Sequence, residues 1–268
     1  MALKLMIFVD GHWFYDNRQA LFNVTGEDSF EIDYKRITTL VQNSISEELN
    51  LDVDLVRTFY YDTLLLNKPE YNTAKRRSFY EFLAFKCGFE TVTTEIDYQK
   101  EGDMAEDYSI RVSLTAAAIR YASIPGTCDV IAIAAGHSEY KELAKQLREL
   151  GKRVQLVTIH NPSDELSSNS TSLIAASHLF DFKTYFLDDH VEELRLIREE
   201  QNRVCKICNA EEITTWAGAD FFCTACRAKH QSQPQNRICD ICGCKEVTTW
   251  DKDYFYCTEC RRQHRESK

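Results

Sequence analysis

The sequence of 268 residues predicts an α/β architecture: a parallel sheet with helices on both faces, followed by two small modules of one design. Two observations carry this. Short apolar runs alternate with helically spaced segments through residues 1–187, the order expected when each strand is returned to its parallel neighbour by a helix. Residues 203–268 instead write one cysteine pattern twice.

Taken in order, Leu3-Lys-Leu-Met-Ile-Phe-Val9 is a short apolar run of the buried-strand type. Residues 34–49 have helical spacing, and 54–60 form the next strand. Residues 71–87 are helical and are closed by Gly88; 89–94 form the third strand. A long helix covers 104–122 and stops before Pro125. Residues 129–134 are a very apolar fourth strand, 139–150 a helix stopped by Gly151, and 153–159 a fifth strand. Residues 161–171, rich in Ser, Asn and Asp, read as a loop. Residues 173–180 and 184–187 complete the domain, and residues 188–202 read as a charged linker helix.

In the tail, Cys205-x2-Cys208 is followed by Cys223-x2-Cys226, and 34 residues later Cys239-x2-Cys242 is followed by Cys257-x2-Cys260. Two close pairs of thiolates supply the four ligands of a tetrahedral Zn2+. The copies also share Glu212/Glu246, Thr214-Thr215-Trp216/Thr248-Thr249-Trp250, Phe221/Phe255, Thr224/Thr258, Arg227/Arg261 and His230/His264. The expectation is two tandem zinc ribbons, at 203–232 and 233–268, each with one structural Zn2+. A disulfide framework is the competing reading. The chain opens Met-Ala-Leu-Lys without an apolar signal stretch, and no run is long enough for a membrane. A cytoplasmic location is therefore expected, where thiols stay reduced and paired cysteines favour metal. Cys244, with Ala210 in its place in the first copy, reads as a spectator; Cys87 and Cys128 read as core residues.

Closed four-cysteine sites leave no open coordination position, so the ribbons are expected to hold a partner rather than do chemistry. Arg227, Arg261 and Arg262 are candidate phosphate contacts. Trp216, Phe221 and Phe222, with Trp250, Tyr254 and Phe255, suit either base stacking or the packing of tiny cores. Residues 203–268 carry 11 Lys/Arg against 9 Asp/Glu, leaving 21 against 33 for the rest. So acidic a body does not attract nucleic acid in bulk, but suits a carboxylate pocket that takes divalent cations. Lys75-Arg76-Arg77, on a helix, is a candidate grip on an RNA backbone, or simply a solvated face. No glycine-rich phosphate loop occurs.

In parallel sheets, sites form beyond the carboxyl ends of the strands. Asp10 follows the first strand, His137 and Glu139 follow the fourth, and Asp103, Glu106 and Asp107 open the long helix. Carboxylates so gathered hold Mg2+ or Mn2+, which activates water against a phosphodiester. Helix capping also explains Asp103, Glu106 and Glu139, and explains Asp10 least.

These residues carry a resemblance. Ile7-Phe-Val-Asp-Gly11, Phe59-Tyr-Tyr-Asp62, Glu106–Leu114, Ala135-Gly-His-Ser-Glu-Tyr140 with Leu147–Arg153, and Leu173–Phe180 together resemble the NYN domains, a branch of the PIN-like (Rossmannoid) ribonuclease superfamily. The resemblance implies a metal-dependent endoribonuclease. Position by position, Asp10 and Asp107 match metal-binding carboxylates, and Glu139 falls on a further acid. The family's later helix Asp falls on Ser113, its Gly-Asp on Gly136-His137, and its Asn on Trp13. His137 then reads as a metal ligand or a general acid/base. The expected catalytic set is Asp10, Asp107, Glu139, His137 and Asp103, with RNA as partner. The alternatives are a degenerate NYN domain that binds RNA or protein without cutting, and ribbons that serve only for protein docking or oligomerisation.

Overall fold

The computed structural model describes residues 2–26, 30–69, 71–101, 108–160, 173–197, 200–216, 218, 220–230, 235–248 and 255–260, without the side chains of residues 101, 108, 229, 230 and 235. The chain divides into two compact units, Met1–Leu196 and Ile197–Lys268.

In the first unit six parallel strands lie in the order β3-β2-β1-β4-β5-β6. They are β1 (Leu3–Asp10), β2 (Val53–Leu66), β3 (Glu90–Asp97), β4 (Val130–Ala134), β5 (Arg153–Thr158) and β6 (Tyr185–Phe186). The two-residue period of β1 builds both cores. Leu5, Ile7 and Val9 face one cluster, and Met6 and Phe8 face the other. On the first face lie α1 (Gly11–Thr25), α2 (Tyr34–Leu49) and α3 (Thr73–Phe82), through Phe14, Leu21, Val41, Ile45 and Tyr80. The second face takes α5 (Tyr108–Ser123) and α6 (Tyr140–Glu149), through Ile110, Leu114, Leu143 and Leu147. A four-residue α4 (Tyr98–Glu101) follows β3. No helix among the described residues is long and apolar enough to cross a membrane.

Strand and helix order follow the sequence reading, with instructive differences. The helix α1 has no counterpart there. Gly11-His-Trp-Phe-Tyr-Asp-Asn17 is poor in strong helix formers. It is helical because Asp10 Oδ1 accepts the Trp13 N–H at 3.0 Å, capping the first turn, and because Trp13, Phe14 and Leu21 are buried. The expected 71–87 helix begins at Thr73 and passes into a wider turn at Leu83–Cys87 before Gly88, whose φ of 75° stops it. The expected 188–202 linker helix is not continuous. Only Leu187–His190, a 3₁₀ turn, and α7 (Val191–Leu194) are helical. Leu187, Val191 and Leu194 are buried in the first core, so this stretch packs as part of the domain. Leu173–Phe180 likewise ends in a 3₁₀ turn at Ser177–Leu179. The expected 161–171 loop and the start of the 104–122 helix lie outside the described residues.

At Gly11 the chain passes directly against Tyr60, whose hydroxyl donates to the Gly11 carbonyl at 3.2 Å. A Cβ here would overlap the buried Tyr60 ring. Gly11→Ala is expected to destabilise the domain by about 1–3 kcal/mol, the range for forced overpacking. Urea unfolding of the two proteins tests this, and equal midpoints would refute the contact.

The second unit holds two antiparallel hairpins, β7 (Gln201–Val204) with β8 (Glu211–Thr214) and β9 (Gln235–Ile238) with β10 (Lys245–Thr248). The first copy is completed by α8 (Thr224–His230). The repeated Glu and Thr find a common use. Glu212 accepts the Thr224 N–H and O–H at 2.9 and 2.6 Å, and Glu246 accepts those of Thr258 at 2.8 and 2.6 Å. Each carboxylate thus ties a hairpin to the second cysteine pair.

Candidate metal and nucleic-acid site

Strands β1, β2 and β3 run outward in one direction, and β4 begins on the other side of β1. In sheets of this kind the change of direction puts the ligand site beyond the carboxyl ends of the two strands that flank it, here β1 and β4. Val9 pairs with Ala134, so Asp10 stands just beyond the last paired residue of β4 and level with the turn that carries His137. Asp10 and His137 are each only 1 % exposed. Asp10 Oδ2 accepts the Tyr140 O–H at 2.8 Å, while Oδ1 caps α1. Both oxygens are thereby held in place.

Among the described residues the His137 imidazole has no hydrogen-bond partner on either ring nitrogen. A buried unpaired polar group costs ~1–3 kcal/mol. His137 Nε2 stands 3.9 Å from Asp10 Oδ2, beyond hydrogen-bond reach. It lies within the span of two ligands on one small cation, at most about 4.2 Å for bonds near 2.1 Å. An orphaned imidazole facing a carboxylate therefore fits a divalent ion, and favours one that accepts nitrogen.

The other predicted residues are placed differently. Glu139 does not turn to Asp10. It pairs with Arg111 of α5, a partly buried guanidinium that draws the half-exposed carboxylate aside. Asp103, Glu106 and Asp107 lie outside the described residues. Among those described, only the two cysteine sets bring three or more metal-ligating atoms together.

Asp62, four residues before the end of β2 at Leu66, is a buried acid that the sequence reading did not single out. It is 1 % exposed and paired with Arg76. Its Oδ1 accepts the Thr63 N–H at 2.8 Å. Burial pushes its carboxyl above the usual carboxylate range, and the Arg76 charge pulls the other way. The sequence signal was available in Phe59-Tyr-Tyr-Asp62, an acid ending an apolar run.

The Arg76 pairing corrects the reading of Lys75-Arg76-Arg77 as three solvent-facing cations. Arg76 turns inward to Asp62, Arg77 pairs with Glu95, and only Lys75 stands exposed without such an acid beside it among the described contacts. Arg76→Met leaves Asp62 a buried charge without its cation, which destabilises by roughly 3–5 kcal/mol near pH 7. Because the folded-state pKa lies above the unfolded one, the native state binds this proton more tightly, so stability falls as pH rises through the folded pKa. Losing Arg76 raises that pKa further. The deficit of Arg76→Met should therefore shrink between pH 7 and the ordinary carboxylate range. Urea unfolding at pH 7 and pH 5 checks this; a deficit that grew with acid would refute the pairing.

In the tail each cysteine set gathers ligand atoms all within 4.8 Å of one another. Cys208 and Cys223 Sγ are 3.5 Å apart, and Cys242 and Cys257 Sγ 3.6 Å apart. These are edges suited to a tetrahedron with metal–sulfur bonds near 2.3 Å. Backbone N–H groups already aim at the sulfurs, from Cys226 to Cys223 at 3.4 Å and from Cys257 to Cys239 at 3.2 Å. Donation from the Cys208 and Cys223 backbone draws the Cys205 thiol down to about 6. Cys244 supplies a backbone carbonyl to the Cys239 N–H at 2.8 Å, the task Ala210 performs for Cys205 at 2.9 Å, so the knuckle needs no thiol there. Phe221 and Phe255 are buried among the cysteines, whereas Trp216 and Phe222 are exposed. The Arg227 guanidinium lies 6.0 Å from the centre of the Phe221 ring. Arg261, Arg262, Trp250 and Tyr254 lie outside the described residues.

The family model of the NYN domain matches residues 4–181. A solved protein of unknown function from Vibrio parahaemolyticus is similar over 73 % of this chain and 97 % of its own, at 17 % identity and a TM-score of 0.47. No curated protein matches this chain.

Proposed function

Because the chain belongs to the NYN domain family, we propose that its α/β domain, residues 1–187, is a divalent-metal-dependent endoribonuclease. The observation that supports this best is the buried pair of Asp10 and His137 at the change of strand direction, with both ring nitrogens of His137 unpartnered among the described residues. Asp10, held by the Trp13 N–H and the Tyr140 O–H, offers a fixed anionic oxygen. His137 offers an imidazole nitrogen, and Asp107 and Asp103 are the further candidate ligands. Mg2+ or Mn2+ held there supplies an activated water and offsets charge on the scissile phosphate. Tyr140 keeps Asp10 Oδ2 oriented, and the surrounding apolar strand ends exclude bulk water from the pair.

Each cysteine set holds one structural Zn2+ in a closed tetrahedron, in modules of residues 203–232 and 233–268. Arg227, with Arg261 and Arg262, grips RNA or a protein partner. Such thiolate sites belong in a reducing, cytoplasmic setting.

A second reading is a catalytically degenerate domain that binds RNA or docks protein. The Glu139–Arg111 pair favours it, since it withdraws one expected carboxylate. The test is labelled single-stranded RNA incubated with the full chain, with Mn2+ or Mg2+ and without added divalent ion; chelators are avoided because they would strip the ribbons. Cutting only with the ion supports the nuclease. Tight binding without cutting under either ion supports the second reading.

A further inference from the structure

Next to the carboxyl end of β2 the domain carries a cleft in two connected arms. The larger, of about 460 Å3, is lined by Tyr15, Arg18, Tyr34, Tyr71, Lys75 and Phe79 among others. The smaller, of about 320 Å3, includes His12, Asp16, Asp62 and Lys68. Tyr15, Tyr71 and Arg76 line both arms, and the smaller arm reaches Asp62, the residue after the Tyr61 that pairs with Asp10.

The chemistry of the larger arm is specific. Tyr15 is 42 % exposed although it sits in the first helical turns after the buried Asp10. Two guanidiniums lie over its ring, Arg18 at 3.4 Å and Arg76 at 4.0 Å from the centroid. Arg18 also donates to the Tyr15 carbonyl at 2.6 Å, which fixes it beside the ring. Asp62 neutralises Arg76 from beneath, so Arg18 and the exposed Lys75 bring net positive charge to the mouth. Here, on an otherwise acidic body, aromatic faces and cations sit together in a volume that suits one small polar-aromatic ligand. Aromatic rings stack on bases without regard to sequence, and cations beside them meet the backbone. A base-paired duplex offers neither free base faces nor an edge thin enough for this cleft.

We propose that the larger arm is a subsite for one unpaired nucleotide, its base against the Arg18 guanidinium that Tyr15 holds and the Tyr71 and Phe79 rings, and its phosphate at Lys75. The next phosphate is then directed along the His12–Lys68 arm towards the strand ends. The subsite makes single-stranded RNA the substrate form, and in that respect it rests on the nuclease reading.

The experiment measures fluorescence anisotropy of a labelled oligouridylate with the full chain carrying Asp10→Asn, so that nothing is cut. Tyr15→Ala and Lys75→Glu are added singly. Both side chains are exposed, and neither change opens a core. Each is expected to weaken binding about tenfold, in line with one lost stack or one lost phosphate contact. The same RNA annealed to its complement should bind weakly and equally to all three proteins. Unchanged single-strand affinity in both variants, or no single-strand binding at all, would overturn the subsite. If the parent chain never cuts under Mn2+ or Mg2+ yet both variants lose affinity, the nuclease reading fails and the subsite stands. Cutting with unaltered affinity in both variants gives the reverse.

Discussion

Asp10→Asn is expected to lower ion-dependent RNA cutting by at least about a hundredfold, since a bound divalent ion contributes several kcal/mol of charge stabilisation at the transition state. The fold should survive. Asn keeps an oxygen that accepts the Trp13 N–H, so α1 remains capped. Its amide nitrogen faces Tyr140, whose hydroxyl can accept as readily as it donates. The change therefore removes the negative charge and spares the scaffold. Single-turnover cutting rates with Mn2+, together with thermal melts, separate the two effects. Wild-type cutting by Asp10→Asn would sink the proposed site, and a collapsed melting temperature would assign Asp10 to structure instead.

Stripping zinc is expected to unfold the tail while leaving the α/β unit folded. Among the described residues each module buries one phenylalanine with its cysteines, Phe221 in the first and Phe255 in the second. That is far too little apolar surface for a fold of about 30 residues. Metal binding to such sites is worth roughly 10–16 kcal/mol, which is nearly the whole of their folding energy. Elemental analysis should find two zinc ions per chain. After a strong chelator, limited proteolysis should digest the chain from its end to about residue 197, where the compact units divide. Cys208→Ser should release only the first zinc and expose only the first module. Intact disulfides, or resistance to proteolysis after chelation, would overturn the assignment.

Much of this was legible in the residues. The cysteine spacing determined both metal sets, because knuckle geometry is local and four sulfurs within a short span have few other uses. The strand order along the chain was legible because buried strands must be apolar throughout. By contrast α1 was hidden, since its residues are weak helix formers and the helix exists through the Asp10 cap and the burial of Trp13 and Phe14. Sequence spacing also put Arg76 on the surface with its neighbours. Only the packing of α3 against β2 turns it to Asp62.

The sequence by itself determined that this protein has a parallel α/β domain, a carboxylate after its first strand, a histidine soon after its fourth, and a duplicated four-cysteine tail. These are properties of composition and short spacing, in which each residue's meaning depends on its near neighbours. The tertiary structure decided which of the candidate groups meet. Asp10 and His137, 127 positions apart, are brought together by the pairing of β1 with β4. Glu139, two residues further on, is carried to Arg111 instead. Strand register and helix packing set those distances, and both arise from contacts between segments far apart in the chain.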